Sequence, residues 1–152
     1  SVYVYRRDFL QGISPLEEDF TLDYLSKALE RKNRILKTVM IGKEAVLLGL
    51  GNSAFQEIVY KARIHPKRKA SGLSMGEQAT LYQAIRDVIG NRIRLGGKNE
   101  FKDLYGKQGS HKLLIGPHMK ETPCPQCRTS IEKLQIVGGP TYYCPSCQKM
   151  PK

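Results

Sequence analysis

The chain has 152 residues, enough for one ordinary domain or for one domain and a small module. Hydrophobic residues make up 40% of it, so it can build a real core, and no apolar run approaches the length of a membrane span. Lysine and arginine outnumber aspartate and glutamate by 25 to 14, a formal charge of +11, which points to a polyanionic partner, usually a nucleic acid.

The start, Ser1-Val2-Tyr3-Val4-Tyr5-Arg6-Arg7, has neither an initiator methionine nor the form of a secretion signal; a tag scar, a cleavage point and a chosen boundary all fit it, and the chain is expected to be a piece of something larger. A short β-prone stretch from Val2 to Tyr5 runs into Gly12-Ile13-Ser14-Pro15-Leu16, which has linker composition. Residues 1–18 are therefore expected to be a linker or the remnant of a preceding domain. Thr21 can cap a first helix whose face is Leu22, Leu25 and Leu29, with Tyr24 and Ala28 beside it. A second helix is expected over Ile35, Leu36, Val39 and Met40, stopping near Gly42. Ala45 to Leu50 is an apolar connector ending in Gly49-Leu50-Gly51-Asn52. A third helix starts at about Asn52, with Ala54, Phe55, Ile58, Val59 and Ala62 as its buried stripe and His65-Pro66 closing it. Ser74 and Glu77 have the form of a capping box and open a fourth helix. Its apolar face is Leu81, Ala84, Ile85, Val88, Ile89 and Ile93, and Gly96-Gly97 is a natural stop. Residues 98–120 are polar and basic, with Lys98, Lys102, Lys107, His111 and Lys112, and are expected to form a mobile loop. Beyond them, Ile131 to Val137 and Thr141 to Tyr143 flank Gly138-Gly139-Pro140 as a two-stranded hairpin.

The four cysteines form two pairs, Cys124-Pro125-Gln126-Cys127 and Cys144-Pro145-Ser146-Cys147, with sixteen residues between them. Each pair presents two thiolates on one side of a tight turn, and two such turns complete a tetrahedron. The spacing predicts one structural zinc ion held by Cys124, Cys127, Cys144 and Cys147, with no open position for catalysis. Two disulfides, or unrelated thiols, are the competing reading, and the paired repeat without any leftover cysteine or secretion signal weighs against both. The histidines His65, His111 and His118 are scattered, with no acid partner visible.

Glycines ahead of a helix let the backbone approach a ligand, and the unpaired amides of that helix start favour an anion. Gly49 to Asn52 has this form, although glycines there also serve as a plain tight turn. Lys37 precedes the turn, and Lys61, Arg63, His65, Lys67, Arg68 and Lys69 follow it.

Leu48-Gly49-Leu50-Gly51-Asn52, Gln56-Glu57-Ile58 and Ala62-Arg63-Ile64-His65-Pro66-Lys67-Arg68 resemble formamidopyrimidine-DNA glycosylase and endonuclease VIII, bacterial base-excision-repair enzymes. Leu36-Lys37, Leu73-Ser74, Gly96-Gly97 and the cysteine module ending in Gln148 carry the resemblance over about residues 14–149. It implies a mainly α fold: a four-helix helix-two-turn-helix domain over residues 19–117, then a small β-hairpin zinc finger over 118–152. It implies that Asn52 and its turn, Gly51 included, grip DNA phosphates beside a lesion and that Lys37 lies near the damaged-nucleotide pocket; from the basic run, Lys67 and Arg68 are expected to add DNA contacts. The loop at about 98–117 matches a segment that covers an everted base in some members. The implied partners are double-stranded DNA with a damaged or abasic site and the N-terminal catalytic domain of the same protein. No membrane partner is implied, and the protein is expected to be bacterial, cytoplasmic and monomeric.

The chain departs from the family pattern in two ways. The family's catalytic proline and glutamate begin a separate β-rich domain that has no counterpart here, and the internal Pro15 has no free amine. No glycosylase or lyase activity is therefore expected of this chain alone. The family also carries an arginine five residues before the third cysteine, where this chain has Gly139. Two competing readings differ in class. One is a non-catalytic nucleic-acid-binding protein on the same scaffold; the other is a zinc-ribbon protein-interaction module with incidental charge.

Overall fold

The computed structural model describes residues 12–42, 45–97, 102, 104–136 and 139–151. The stretch from Val2 to Tyr5, Lys98, Val137 and Gly138 lie outside them.

Helix α1 spans Leu22–Glu30, and the Thr21 hydroxyl accepts from the Tyr24 amide at 3.2 Å. Leu25 and Leu29, four residues apart, share a face and are fully buried. Leu22, expected on the same face, is 39% exposed. Helix α2 (Leu36–Ile41) buries Leu36, Val39 and Met40 and stops at Gly42. Helix α3 (Asn52–Ala62) buries Phe55, Ile58 and Val59. It ends before His65-Pro66: Arg63 already turns into the left-handed region at φ 58°. Helix α4 (Met75–Arg94) opens on the capping box, with Glu77 N donating to Ser74 Oγ at 3.2 Å and Ser74 N to Glu77 Oε2 at 3.0 Å. Its residues Leu81, Ala84, Ile85 and Val88 are buried, whereas Ile93 is 56% exposed.

These faces meet in one core that also takes in Phe20, Val46, Leu47, Ile64, Ala70 and Leu73. The segment after α3 is pinned across α2's entrance, with Leu36 N donating to Arg68 O at 2.8 Å and Ala70 N to Arg34 O at 2.8 Å.

Strands β1 (Glu132–Ile136) and β2 (Gly139–Tyr143) form an antiparallel hairpin with Leu134 opposite Thr141. Gly139 and Pro140, expected in the turn, instead begin β2 opposite Ile136 and Gln135. In a two-stranded sheet every strand is an edge, so a proline is tolerated there. The hairpin and the two cysteine turns close over a second, smaller core of Tyr60, Ile115, Cys124, Ile131, Tyr142 and Cys144. The architecture is thus mainly α: four helices followed by a hairpin with a cysteine cluster. Among the described residues no helix is long and apolar enough to cross a membrane.

Much of the expected loop is anchored. Ser110 N donates to Leu95 O at 2.8 Å, His111 N to Gly97 O at 2.9 Å, and Ile115 is 1% exposed in the smaller core. Leu104 and Tyr105, by contrast, are fully open to solvent.

Candidate metal centre and nucleic-acid interface

The sulfurs of Cys124, Cys127, Cys144 and Cys147 all lie within 4.8 Å of one another. Cys127 and Cys144 are 3.4 Å apart, and Cys124 and Cys147 3.9 Å. Tetrahedral Zn–S bonds of about 2.3 Å put sulfurs about 3.8 Å apart, so the cluster fits one ion. The thiols oppose one another without a cation. Hydrogen bonding from the Thr129 hydroxyl pulls Cys127 down to about 6, while burial, followed by neighbouring thiols, pushes Cys147 up to about 12. A dication bound to four thiolates removes that conflict. His118 is exposed and stands outside the cluster.

The turn before α3 is built for close approach. Gly49 has φ +82°, a conformation that favours glycine. Gly51 caps α3 without any side-chain hydrogen bond, and a Cβ there would meet nothing within 4 Å. The first amides of α3 have no partner inside the helix, and the positive end of its dipole faces the same opening. Lys37, Thr38, Leu50, Gly51 and Asn52 line an open depression of about 290 Å3 at this place.

Lys37 and Asn52 reach the zinc-finger hairpin. Lys37 Nζ donates to Gly139 O at 2.8 Å and to Thr141 Oγ1 at 3.1 Å. Burial pushes its ammonium below the ordinary lysine value. Asn52 Nδ2 donates to Pro140 O at 2.9 Å. An amide nitrogen carries two hydrogens, so one remains for a ligand. Gly139 itself has φ +116°, a conformation that L side chains rarely adopt, and its Cβ position lies 3.9 Å from Asn52 Nδ2. The departure from the family's arginine thus coincides with a backbone that suits glycine.

The two other expected contact residues part company. Lys67 is exposed, and its amide donates to His65 Nδ1 at 3.1 Å. Arg68 is 8% exposed and turned inward, with its guanidinium on both oxygens of Glu77 (2.9 and 2.8 Å) and on Gly72 O (2.8 Å). That pairing holds the Glu77 carboxyl below the ordinary carboxylate value. Arg68 therefore braces the capped start of α4 and holds up the exposed Lys67 and Lys69 on either side.

Two groups of residues escaped the sequence reading. The first is a row on α3 at four-residue spacing. Asn52 bonds Pro140 O. Gln56 Oε1 accepts from Tyr142 N at 3.1 Å and Tyr60 OH lies 3.3 Å from Cys124 Sγ; just past the helix end, Ile64 O accepts from Gln148 Nε2 at 3.0 Å. Residues i and i+4 lie on one face of a helix, so this stripe holds the finger along its length. The spacing is readable in the sequence, but nothing there shows that the stripe is docked. The second group centres on Glu57, a fully buried carboxylate. His111 Nε2 lies 2.9 Å from its Oε2, Leu114 N donates to the same oxygen at 3.2 Å, and Arg92 pairs with Oε1. Arg92 also donates to Ser53 Oγ at 3.0 Å. His111, scattered in sequence, thus has an acid partner in space.

Comparison with known proteins supports both halves. The formamidopyrimidine-DNA glycosylase H2TH domain matches residues 11–102, and a zinc finger found in FPG and IleRS matches residues 122–149. The cysteine cluster is thus a zinc-finger site. Formamidopyrimidine-DNA glycosylase of Pelotomaculum thermopropionicum is 37% identical over 142 residues, covering 91% of this chain and 51% of that protein. The same-named protein of Roseiflexus is 34% identical over 145 residues, covering 93% and 53%. The crystal structure of MutM (Fpg) from Thermus thermophilus superposes with a TM-score of 0.85 at 28% identity, covering 94% of this chain and 55% of that one. A complex of Lactococcus lactis Fpg with DNA containing an abasic site gives 0.84 at 25% identity, covering 94% and 53%. The chain spans about half the length of the curated relatives it matches.

Proposed function

The chain belongs to the formamidopyrimidine-DNA glycosylase family, and from that membership we propose that it is the DNA-gripping half of such a repair protein. In this reading residues 19–117 form the helical domain and 118–152 the finger, and together they clamp duplex DNA across its backbone at a damaged or abasic site. Base excision and strand cleavage would belong to an N-terminal domain that supplies the proline amine, and this chain alone would not catalyse them.

One observation carries the proposal: the open start of α3 and the finger hairpin form one continuous surface, joined by Lys37 and Asn52. Phosphate oxygens are held by helix-start amides, by side-chain amides and by cations. Gly51 supplies the open backbone, Asn52 its spare N–H and Lys67 an exposed charge. Lys37 fixes the hairpin beside them and adds positive charge from behind. When bound, zinc supplies the cross-link that holds the two cysteine turns and hence the hairpin in place.

Fluorescence anisotropy with a labelled duplex containing an abasic-site analogue tests this reading. The zinc-loaded chain is expected to bind at low salt, and Asn52→Ala to bind several-fold more weakly. An absence of binding at low salt would overturn the proposal; unchanged affinity in the variant would remove Asn52 from the grip.

A further inference from the structure

Hydrogen bonds to the cysteine sulfurs differ between the two turns. Cys144 Sγ accepts from the Cys147 amide at 3.4 Å, and Cys124 Sγ from the Gln126 amide at 3.4 Å, each within its own turn. Cys124 has a further partner from the helical half, the Tyr60 hydroxyl at 3.3 Å. Tyr60 sits at the third place of the four-spaced row on α3, is 8% exposed and packs in the smaller core with Ile115, Ile131 and Tyr142. The second turn is tied to the backbone just beyond the end of α3: Cys144 N donates to Gln148 Oε1 at 2.9 Å, and Gln148 Nε2 to Ile64 O.

We infer that Tyr60 is a positioning residue for the metal centre, its phenol donating to the metal-bound Cys124 thiolate and so fixing the height on α3 at which the hairpin meets Lys37 and Asn52. A thiolate is an acceptor and a buried phenol needs one, so each satisfies the other in the smaller core. The bond satisfies a lone pair of Cys124 that the ion would not use and fixes the direction of the one that it would. It also makes the finger's register depend on the helical domain. Asn52 to Pro140, Gln56 to Tyr142 and Tyr60 to Cys124 are successive contacts of one row, so a shift at the metal end is passed to the phosphate end. The link to DNA rests on the function proposed above; the link to the metal does not.

Tyr60→Phe keeps the ring and removes only the hydroxyl. In the cobalt-substituted chain the sulfur-to-cobalt charge-transfer band is expected to shift. In the zinc-loaded chain, release to a chromophoric chelator is expected to quicken about tenfold, within the range seen on losing outer-shell partners. At saturating zinc, affinity for the abasic-site duplex is expected to fall about threefold or more. Tyr143→Phe is the control: that hydroxyl donates to Glu132 Oε2 at 3.1 Å and touches no cysteine, so neither metal readout should change. An unaltered cobalt spectrum and release rate in Tyr60→Phe would overturn the inference, as would equal changes in Tyr143→Phe. The metal readouts need no DNA, so failure of the parent chain to bind DNA would sink the functional reading and leave this one standing.

Discussion

The helical half and the finger are held together by different means. The helical core gathers nineteen of the described residues, all hydrophobic, from every helix and from the segments between them. The finger's core has six; two are metal ligands and a third, Tyr60, belongs to α3. Burying a large aliphatic side chain contributes roughly 1.5–3 kcal/mol, so the first cluster can support a fold and the second cannot do so alone. The finger makes up the difference with a metal cross-link and with the polar row on α3. One helix therefore serves both halves, with an apolar face turned to the core and a neutral polar face turned to the finger.

Removing zinc breaks this comparison most forcefully. Structural zinc contributes on the order of 10–16 kcal/mol in comparable fingers. Chelation is expected to abolish amide-exchange protection across β1 and β2 while α1, α2 and α4 stay protected. Equal loss in both halves would mean that the helical core also depends on the metal.

The next largest effect is expected at Glu57. Truncating it leaves Arg92 and His111 without their carboxylate and Leu114 N without its acceptor. Glu57→Ala should cost about 3–5 kcal/mol in denaturant unfolding, the range for breaking a buried pair from one side. Cobalt spectra of this variant should resemble the parent's, because Glu57 lies off the finger row. A loss below 1 kcal/mol would mean that the buried pair is nearly neutral to the fold.

Gly139→Arg restores the family's usual residue and sharpens the comparison at the point where the halves meet. The backbone at φ +116° makes any side chain there strained, by about 1–3 kcal/mol of folding stability. The strain is present in free and bound chain alike, so DNA affinity should still rise, about tenfold for one charge-assisted contact. Unchanged affinity would mean that the hairpin sits away from the phosphates.

The helical half is largely legible in the sequence, because apolar residues at helical spacing and a capping box state their own geometry. Thr21, Gly42 and Ser74 punctuate the helices where the pattern predicts. Leu22 and Ile93 escape because periodicity marks a face but not how far the core extends along it. The metal ligands are legible from spacing alone. The α3 row is not: Gln56 and Tyr60 look the same in a sequence whether they meet solvent or a docked finger. Glu57 and His111 are 54 positions apart, and only the fold brings them together. Arg68 shows the converse: in sequence it is one cation of a basic run, and only the fold reveals its pairing with Glu77.

The central claim is that the start of α3 and the finger make one phosphate grip. Its most direct test is the affinity of the chain for an abasic-site duplex as a function of salt, with zinc and after chelation. Each phosphate contact adds a slope of about −0.9 to log affinity against log salt. The zinc-loaded chain is expected to show the slope of several phosphates, and the stripped chain a weaker affinity and a shallower slope, as the finger's contacts are lost. Identical slopes and affinities in the two states would contradict a shared grip, and no binding at low salt would contradict any grip at all.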